Sequence, residues 1–297
     1  MAPSVYSKVR SALPPSVRGR GAAVKYKVRE RFGEARCLPD YIGIGTIKGG
    51  STSLWHYLAQ HPQILAADEK QVRYFDYFSY LGPAWYRSMF PTEADRVALS
   101  ARLGLPVITG EFSPSYLSHP TAPPRVSALV PNARLIVVLR NPIDRAYSHW
   151  QHSLRKGGET VADFAEALEL EETRIAGERE RIFADPFYFP RAFGDFSYRL
   201  RGRYAEHLTQ WLNEFPREQI LVVKSESLFS DPQAVLTQEV FPYLGISPDV
   251  DTIEFRPQNV GGYGTPMPAP TREILSEYFA PHNARLESLL GMTFDWN

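Results

Sequence analysis

Two short runs, RLIVVLR (134–140) and QILVVKS (219–225), carry five and four apolar residues in succession between polar ends. A strand with one face in water alternates apolar and polar residues. A run without alternation belongs in a sheet covered on both faces. YIGIG (41–45) and PVITG (106–110) add two further strands, and helical spacing occupies 51–60, 142–155, 161–176, 196–213, 231–243 and 270–290. The last helix follows the Gly/Pro-rich GTPMPAPT, with Thr271 as its expected cap. Alternating strands and helices predict right-handed crossovers and an α/β fold, a three-layer sandwich around a central parallel sheet. Ligands of such sheets bind beyond the carboxyl ends of the strands.

The motifs fall at those ends. YIGIGTIKGGSTSLWHYLAQHP (41–62) reads as a strand, a small-residue turn and a helix. A helix N-terminus offers unpaired N–H groups and positive partial charge, so such a turn receives anions. Gly49 and Gly50 allow close backbone approach, Ser51, Thr52 and Ser53 add donors, and Lys48 adds a full charge. In the nucleoside-triphosphate version of this loop, lysine follows the glycines and a hydroxyl holds magnesium. Here lysine precedes them. LRNPIDRAYSHW (139–150) then puts Arg140 at a strand end, where a triphosphatase usually has a magnesium-binding aspartate, and Ser148 two turns into the next helix. An arginine there repels a metal and attracts a second phosphate. The pair of motifs suits a nucleotide phosphorylated at both ends and bound without metal.

In order, these segments resemble the sulfotransferases that use 3'-phosphoadenosine 5'-phosphosulfate (PAPS), the heparan-sulfate-type branch and its bacterial relatives in particular. The resemblance runs from PDYIGIGTIKGGSTSLWHYLAQHP through YFD, WYRSMFP, GEFSPSYL and LRNPIDRAYSHW to WLNEFPREQILVV and the closing GMTFDWN. It spans roughly residues 39–297, leaving a basic arm (1–37) ahead of a sulfotransferase domain (38–297). It implies the P-loop nucleotide-kinase-like sulfotransferase fold. It also implies that Lys48 stabilises the leaving phosphate, that Gly49 to Ser53 hold the 5'-phosphate, and that Arg140 and Ser148 hold the 3'-phosphate of a donor leaving as PAP. The acceptor is a hydroxyl of a carbohydrate, glycolipid or small molecule.

The pattern breaks at the proton acceptor. The family's base is a glutamate in a segment that here reads DEKQVRYFD, so Gln71 stands in its place. An amide does not take a proton at neutral pH. Three readings stand: a replaced glutamate, a natural arrangement in which Glu69 serves, or a nucleotide-binding protein without turnover. In an extended strand Glu69, Gln71 and Arg73 share one face. Arg73 and Asp76 keep the rest of the segment and are expected to orient acceptor or base. Phe112 stands where polysaccharide-modifying relatives carry lysine, which argues against a strongly anionic acceptor; neighbouring Glu111 reads as a structural carboxylate. The aromatic and arginine-rich stretch 181–204 is expected to cover the cleft, with Phe187, Tyr188 and Arg191 as acceptor contacts. Tyr263, in the Gly/Pro loop 259–270, is expected near the nucleotide.

Charge and cysteine content bound the rest. Residues 1–36 hold nine Lys or Arg against Glu30 and Glu34, leaving 24 basic and 31 acidic residues beyond them. A mildly acidic body argues against a nucleic-acid partner. The arm reads as a solvated leader or as a peripheral contact with anionic lipid. No apolar run is long enough to span a bilayer, and no signal sequence is legible. Cys37 is the only cysteine, so no intrachain disulfide forms and a cytoplasmic setting is expected. The seven histidines lack metal-ligand spacing, and no metal site is expected. A magnesium-dependent kinase is the remaining rival.

Overall fold

The computed structural model describes residues 35–256 and 266–296. Most of the basic arm and the Tyr263 position lie outside the described residues. Five strands form one sheet: β1 (Tyr41–Gly45), β2 (Ile64–Ala66), β3 (Ile108–Phe112), β4 (Arg134–Leu139) and β5 (Ile220–Lys224). Their order is β2-β3-β1-β4-β5, with each neighbouring pair parallel. The principal helices are α1 (Ser51–Leu58), α2 (Glu93–Leu103), α3 (Ala122–Leu129), α4 (Pro142–Lys156), α5 (Tyr204–Leu212) and α6 (Ala269–Leu290).

Alternate strand residues feed two cores, which is why the strands read as continuous apolar runs. Ile42, Ile44, Leu135, Val137, Leu139 and Val222 join Leu208 and Trp211 of α5 and Leu286 of α6 on one face. Tyr41, Phe112, Ile136, Val138 and Val223 pack with Leu54, Tyr57 and Leu58 of α1 on the other. The three-layer α/β sandwich with a parallel sheet is therefore present. From β1 the chain passes to β2 and β3 on one side, then crosses to β4 and β5 on the other. The carboxyl end of β1 is thus a topological switch point, where a crevice opens.

Several expected elements differ, for local reasons. The helix expected over 161–176 divides into Phe164–Glu169 and Glu171–Ile175. That over 196–213 is helical only in α5, after a 3₁₀ turn at Leu200–Gly202. Gly202 passes so close to its neighbours that a Cβ would lie 2.7 Å from the Phe279 ring and 3.0 Å from Pro142. The segment 231–243 breaks into Pro232–Val235, a π turn at Leu236–Val240 and Phe241–Leu244. Pro242, without an N–H, cannot continue the regular ladder there. Thr271 does not cap α6: the helix starts at Ala269 and Thr271 is buried in its first turn. The edge strand β2 has only three residues, too few for a period to register. α2 also escaped sequence reading, although Thr92 and Asp95 form a capping box at its start.

Phe112 belongs to the core. It is fully buried, and its ring fills the space beside Gly43, where an added Cβ would sit 2.0 Å from Phe112 Cδ1. An acceptor cannot reach it, so its assignment as a substrate contact is withdrawn. Gly43→Ala is expected to cost about 1–3 kcal/mol of stability by overpacking. Urea denaturation checks this, and an unchanged midpoint would show that the β1–β3 packing is looser than described.

Candidate active site

A cavity of about 1110 Å³ opens where β1, β3 and β4 end. Its floor is the loop between β1 and α1, with Lys48, Gly50, Ser51 and Thr52 on the wall. The backbone there is held in conformations that favour small residues. Gly50 has φ 97° and Lys48 φ 68°, the latter a left-handed setting that costs a non-glycine residue of order 1 kcal/mol. A Cβ at Gly49 would lie 2.6 Å from Thr46 Cγ2 and 2.7 Å from the Val138 carbonyl oxygen. Among the described residues no side chain caps the first turn of α1.

Arg140 leaves the end of β4 and donates from Nη1 to the Lys48 carbonyl at 3.3 Å. The two anion motifs seen in the sequence therefore meet at one wall. α4 follows, started by Asn141, whose side chain accepts from the Ile143 amide, and by Pro142 in its first turn; it is closed by Gly157 at φ 72°. Ser148, His152 and Arg155 recur at helical spacing along the cavity, with His149, Ser153 and Lys156 beside them. His149 is committed, pairing through Nε2 with the Gly194 carbonyl at 3.1 Å. Burial lowers the His152 pKa below 6.5, and the positive charges of Lys48, Lys156 and Arg155 lower it further. At neutral pH His152 is an uncharged imidazole on the wall.

The opposite wall comes from the strap after β2. The Phe112 amide donates to the Lys70 carbonyl, the Val72 amide to Glu111 Oε2 and the Arg73 amide to Ser113 Oγ. These bonds hold residues 70–73 across the end of β3 and turn Gln71 and Arg73 to the cavity. Asp76 locks Arg73 through Nε at 2.9 Å and accepts from Ser115 Oγ at 2.5 Å. Burial raises the Asp76 pKa, against the pull of Arg73 and Ser115. The Arg73 guanidinium lies 3.9 Å over the Tyr77 ring, and Tyr77 stacks on Phe189 at 4.3 Å. Arg201 faces the same space, 3 % exposed, with Nη2 on the Phe193 carbonyl at 3.3 Å and Nε without a partner among the described residues. Burial brings its pKa down to about 10, so it stays charged at neutral pH.

Of the residues expected here from sequence, Lys48, Gly50, Ser51, Thr52, Gln71, Arg73, Arg140, Ser148 and Arg191 line the cavity. Gly49 lies behind the wall, and Ser53 turns inward toward the Tyr57 hydroxyl. Glu69 does not reach the wall, because the strap is irregular and not the extended strand that its pairing with Gln71 required. Asp76 acts from beneath, through Arg73 and Ser115. Phe187 is exposed and packs on Tyr80, and Tyr188 bonds Glu178 Oε1, so neither lines the cavity; Phe189 does. The sequence reading missed His152, Arg155, Lys156 and Arg201. The i, i+4 and i+7 spacing from Ser148 carried the signal for the first two.

Glu111 is fully buried under the strap and accepts from the Val72 amide and the Ser113, Tyr86 and Tyr116 hydroxyls. This matches the structural role read for it. Burial still carries its pKa from 4.5 to about 7. Between those values the folded chain keeps a proton that the unfolded chain has lost, so stability falls as pH rises through that window, by about 3 kcal/mol for a shift of this size. Glu111→Gln is expected to flatten the slope between pH 5 and pH 7.5 in urea titrations. A slope unchanged by the substitution would contradict this.

The fold and the cavity define an α/β protein with a P-loop-like turn at its switch point. The chain belongs to the sulfotransferase family: residues 38–256 match the sulfotransferase domain. It is 28% identical to the membrane-associated sulfotransferase kil1 of Dictyostelium discoideum, over 89% of this chain and 68% of that protein. It is 30% identical to human heparan sulfate glucosamine 3-O-sulfotransferase 6, over 88% of this chain and 74% of that protein. It spans only 30% of the mouse bifunctional heparan sulfate N-deacetylase/N-sulfotransferase 4, at 29% identity over 85% of this chain. A crystal structure of a sulfotransferase from Alicyclobacillus acidocaldarius superposes with a TM-score of 0.63 at 29% identity, covering 88% of this chain and 99% of the other. Among the described residues no helix is long and apolar enough to cross a membrane.

Proposed function

We propose that the chain transfers a sulfuryl group from PAPS to an acceptor hydroxyl. The observation that carries this reading is the meeting of the Lys48 and Arg140 motifs on one cavity, joined by the Arg140 bond to the Lys48 carbonyl. The residues fit the donor. The first turn of α1, uncapped among the described residues, and Lys48 suit its 5'-phosphosulfate, and Arg140 with Ser148 suits its 3'-phosphate. When bound, PAPS supplies the sulfuryl group and leaves as PAP. Lys48 neutralises charge as the sulfur–phosphate oxygen bond breaks and the bond to the acceptor oxygen forms. Arg140 and Ser148 hold the other end, so positioning supplies much of the rate.

The acceptor's proton needs a base. Gln71 cannot take it, and Glu69 is off the wall. His152 is neutral at pH 7, borders the cavity and lies within the field of Lys48. It accepts the hydroxyl proton in this reading and passes it to solvent. Arg73 and Arg201 bind polar or anionic groups of the acceptor, which offsets the loss of lysine at Phe112. A binding protein without turnover would not need a neutral imidazole at this place. A kinase would meet a cation, Arg140, where its metal-binding carboxylate is expected. The basic arm, most of it outside the described residues, is proposed as a segment ahead of the domain whose end, Arg36 and Cys37, packs onto it, and the lone Cys37 is compatible with a cytoplasmic setting.

Calorimetry with PAP is expected to show one site per chain, with Lys48→Ala and Arg140→Ala each weakening binding at least tenfold. Labelled-sulfate transfer across an acceptor panel tests the base. His152→Ala is expected to lower kcat by about 10²–10⁴-fold while leaving PAP affinity nearly unchanged. Turnover that survives in His152→Ala and rises only in Gln71→Glu would instead identify position 71 as the disabled base.

A further inference from the structure

Lys70 sits where electrostatics disfavour a cation. Its Nζ donates to Thr52 Oγ1 at 2.6 Å, and Thr52 is the second residue of α1, next to the positive end of the helix dipole. Lys48, Thr52 and Arg140 line the cavity that this helix end opens onto. Burial alone drives the Lys70 pKa down to about 8. A chain that keeps a part-buried ammonium beside a helix N-terminus loses stability unless an anion shares the site.

The hydrogen bond also has a direction. An ammonium only donates, so one lone pair of Thr52 Oγ1 is occupied and the Thr52 proton must point elsewhere. Thr52 lines the cavity, and no protein acceptor takes that proton among the described residues. We propose that Lys70 is a positioning residue for the nucleotide, acting through Thr52: it turns the Thr52 hydroxyl into a fixed donor toward a phosphosulfate oxygen and backs the loop with positive charge. Neither residue's spacing announces this, because Lys70 lies on the strap and Thr52 on the helix. The role rests on the PAPS reading above and deepens it.

The test is a double-mutant cycle of PAP affinity by calorimetry, with Lys70→Met, Thr52→Val and the pair. Each single variant is expected to bind about tenfold more weakly, and the pair about as weakly as either single, since both remove one unit. Lys70→Arg is expected to recover most of the affinity. A second readout uses the wild type alone: affinity should fall as pH rises through about 8, where the ammonium is lost. Glu111 beneath the strap titrates at about 7 and burial holds His152 below its ordinary range, so a fall above pH 7.5 that Lys70→Met removes reports Lys70. Lys70→Met binding within twofold of wild type, additive losses in the cycle, or flat wild-type affinity from pH 7.5 to 9 each overturn the role. Wild type that gives no heat with PAP overturns the sulfotransferase reading, and this role with it.

Discussion

The hydrogen bond from Arg140 Nη1 to the Lys48 carbonyl ties the end of β4 to the loop after β1. It brings together two cationic motifs separated by 92 residues of chain. Everything the site can do follows from that junction. β1 and β4 are adjacent parallel strands whose register is fixed by two cores, so their carboxyl ends deliver both motifs to the same edge. A slip of one residue in either strand would turn apolar side chains to the wrong face. The sheet thereby sets the spacing of the two motifs.

The cost of this arrangement is written into the backbone and the charges. Lys48 is held in a left-handed conformation, Lys70 is desolvated, and Arg201 is buried with an unpartnered Nε. Cations gather at one cavity, where Asp76 serves Arg73 and Ser115 from below. Stability considered alone would remove such features. Gathered at one place, they fit the multiply charged donor proposed above.

The sequence made most of the sheet, the glycine loop and the Arg140–Ser148 motif legible, because each is a local pattern: an apolar run, a glycine pair, an arginine at a strand end ahead of a helix. It made the acceptor side legible only in part, at Gln71 and Arg73 through their resemblance to the family's segment and at Arg191. Gln71, Arg73 and Arg201 come from an irregular strap and from the turn before α5, where no period applies. Glu69 was paired with Gln71 by assuming an extended strand, and the bonds of Val72 and Arg73 to Glu111 and Ser113 bend the strap otherwise. Phe187 packs on Tyr80 and Tyr188 bonds Glu178, while Phe189 stacks on Tyr77, a distinction among neighbouring rings that composition does not carry. Phe112 took its expected role from a lysine in relatives, whereas here the missing side chain of Gly43 makes room for its ring.

A crystal structure of the chain with PAP tests the central claim most directly. The account predicts the 5'-phosphate on the amides that open α1, beside Lys48, with the 3'-phosphate on Arg140 and Ser148. Nucleotide bound elsewhere, or held by only one of these two groups, would contradict it.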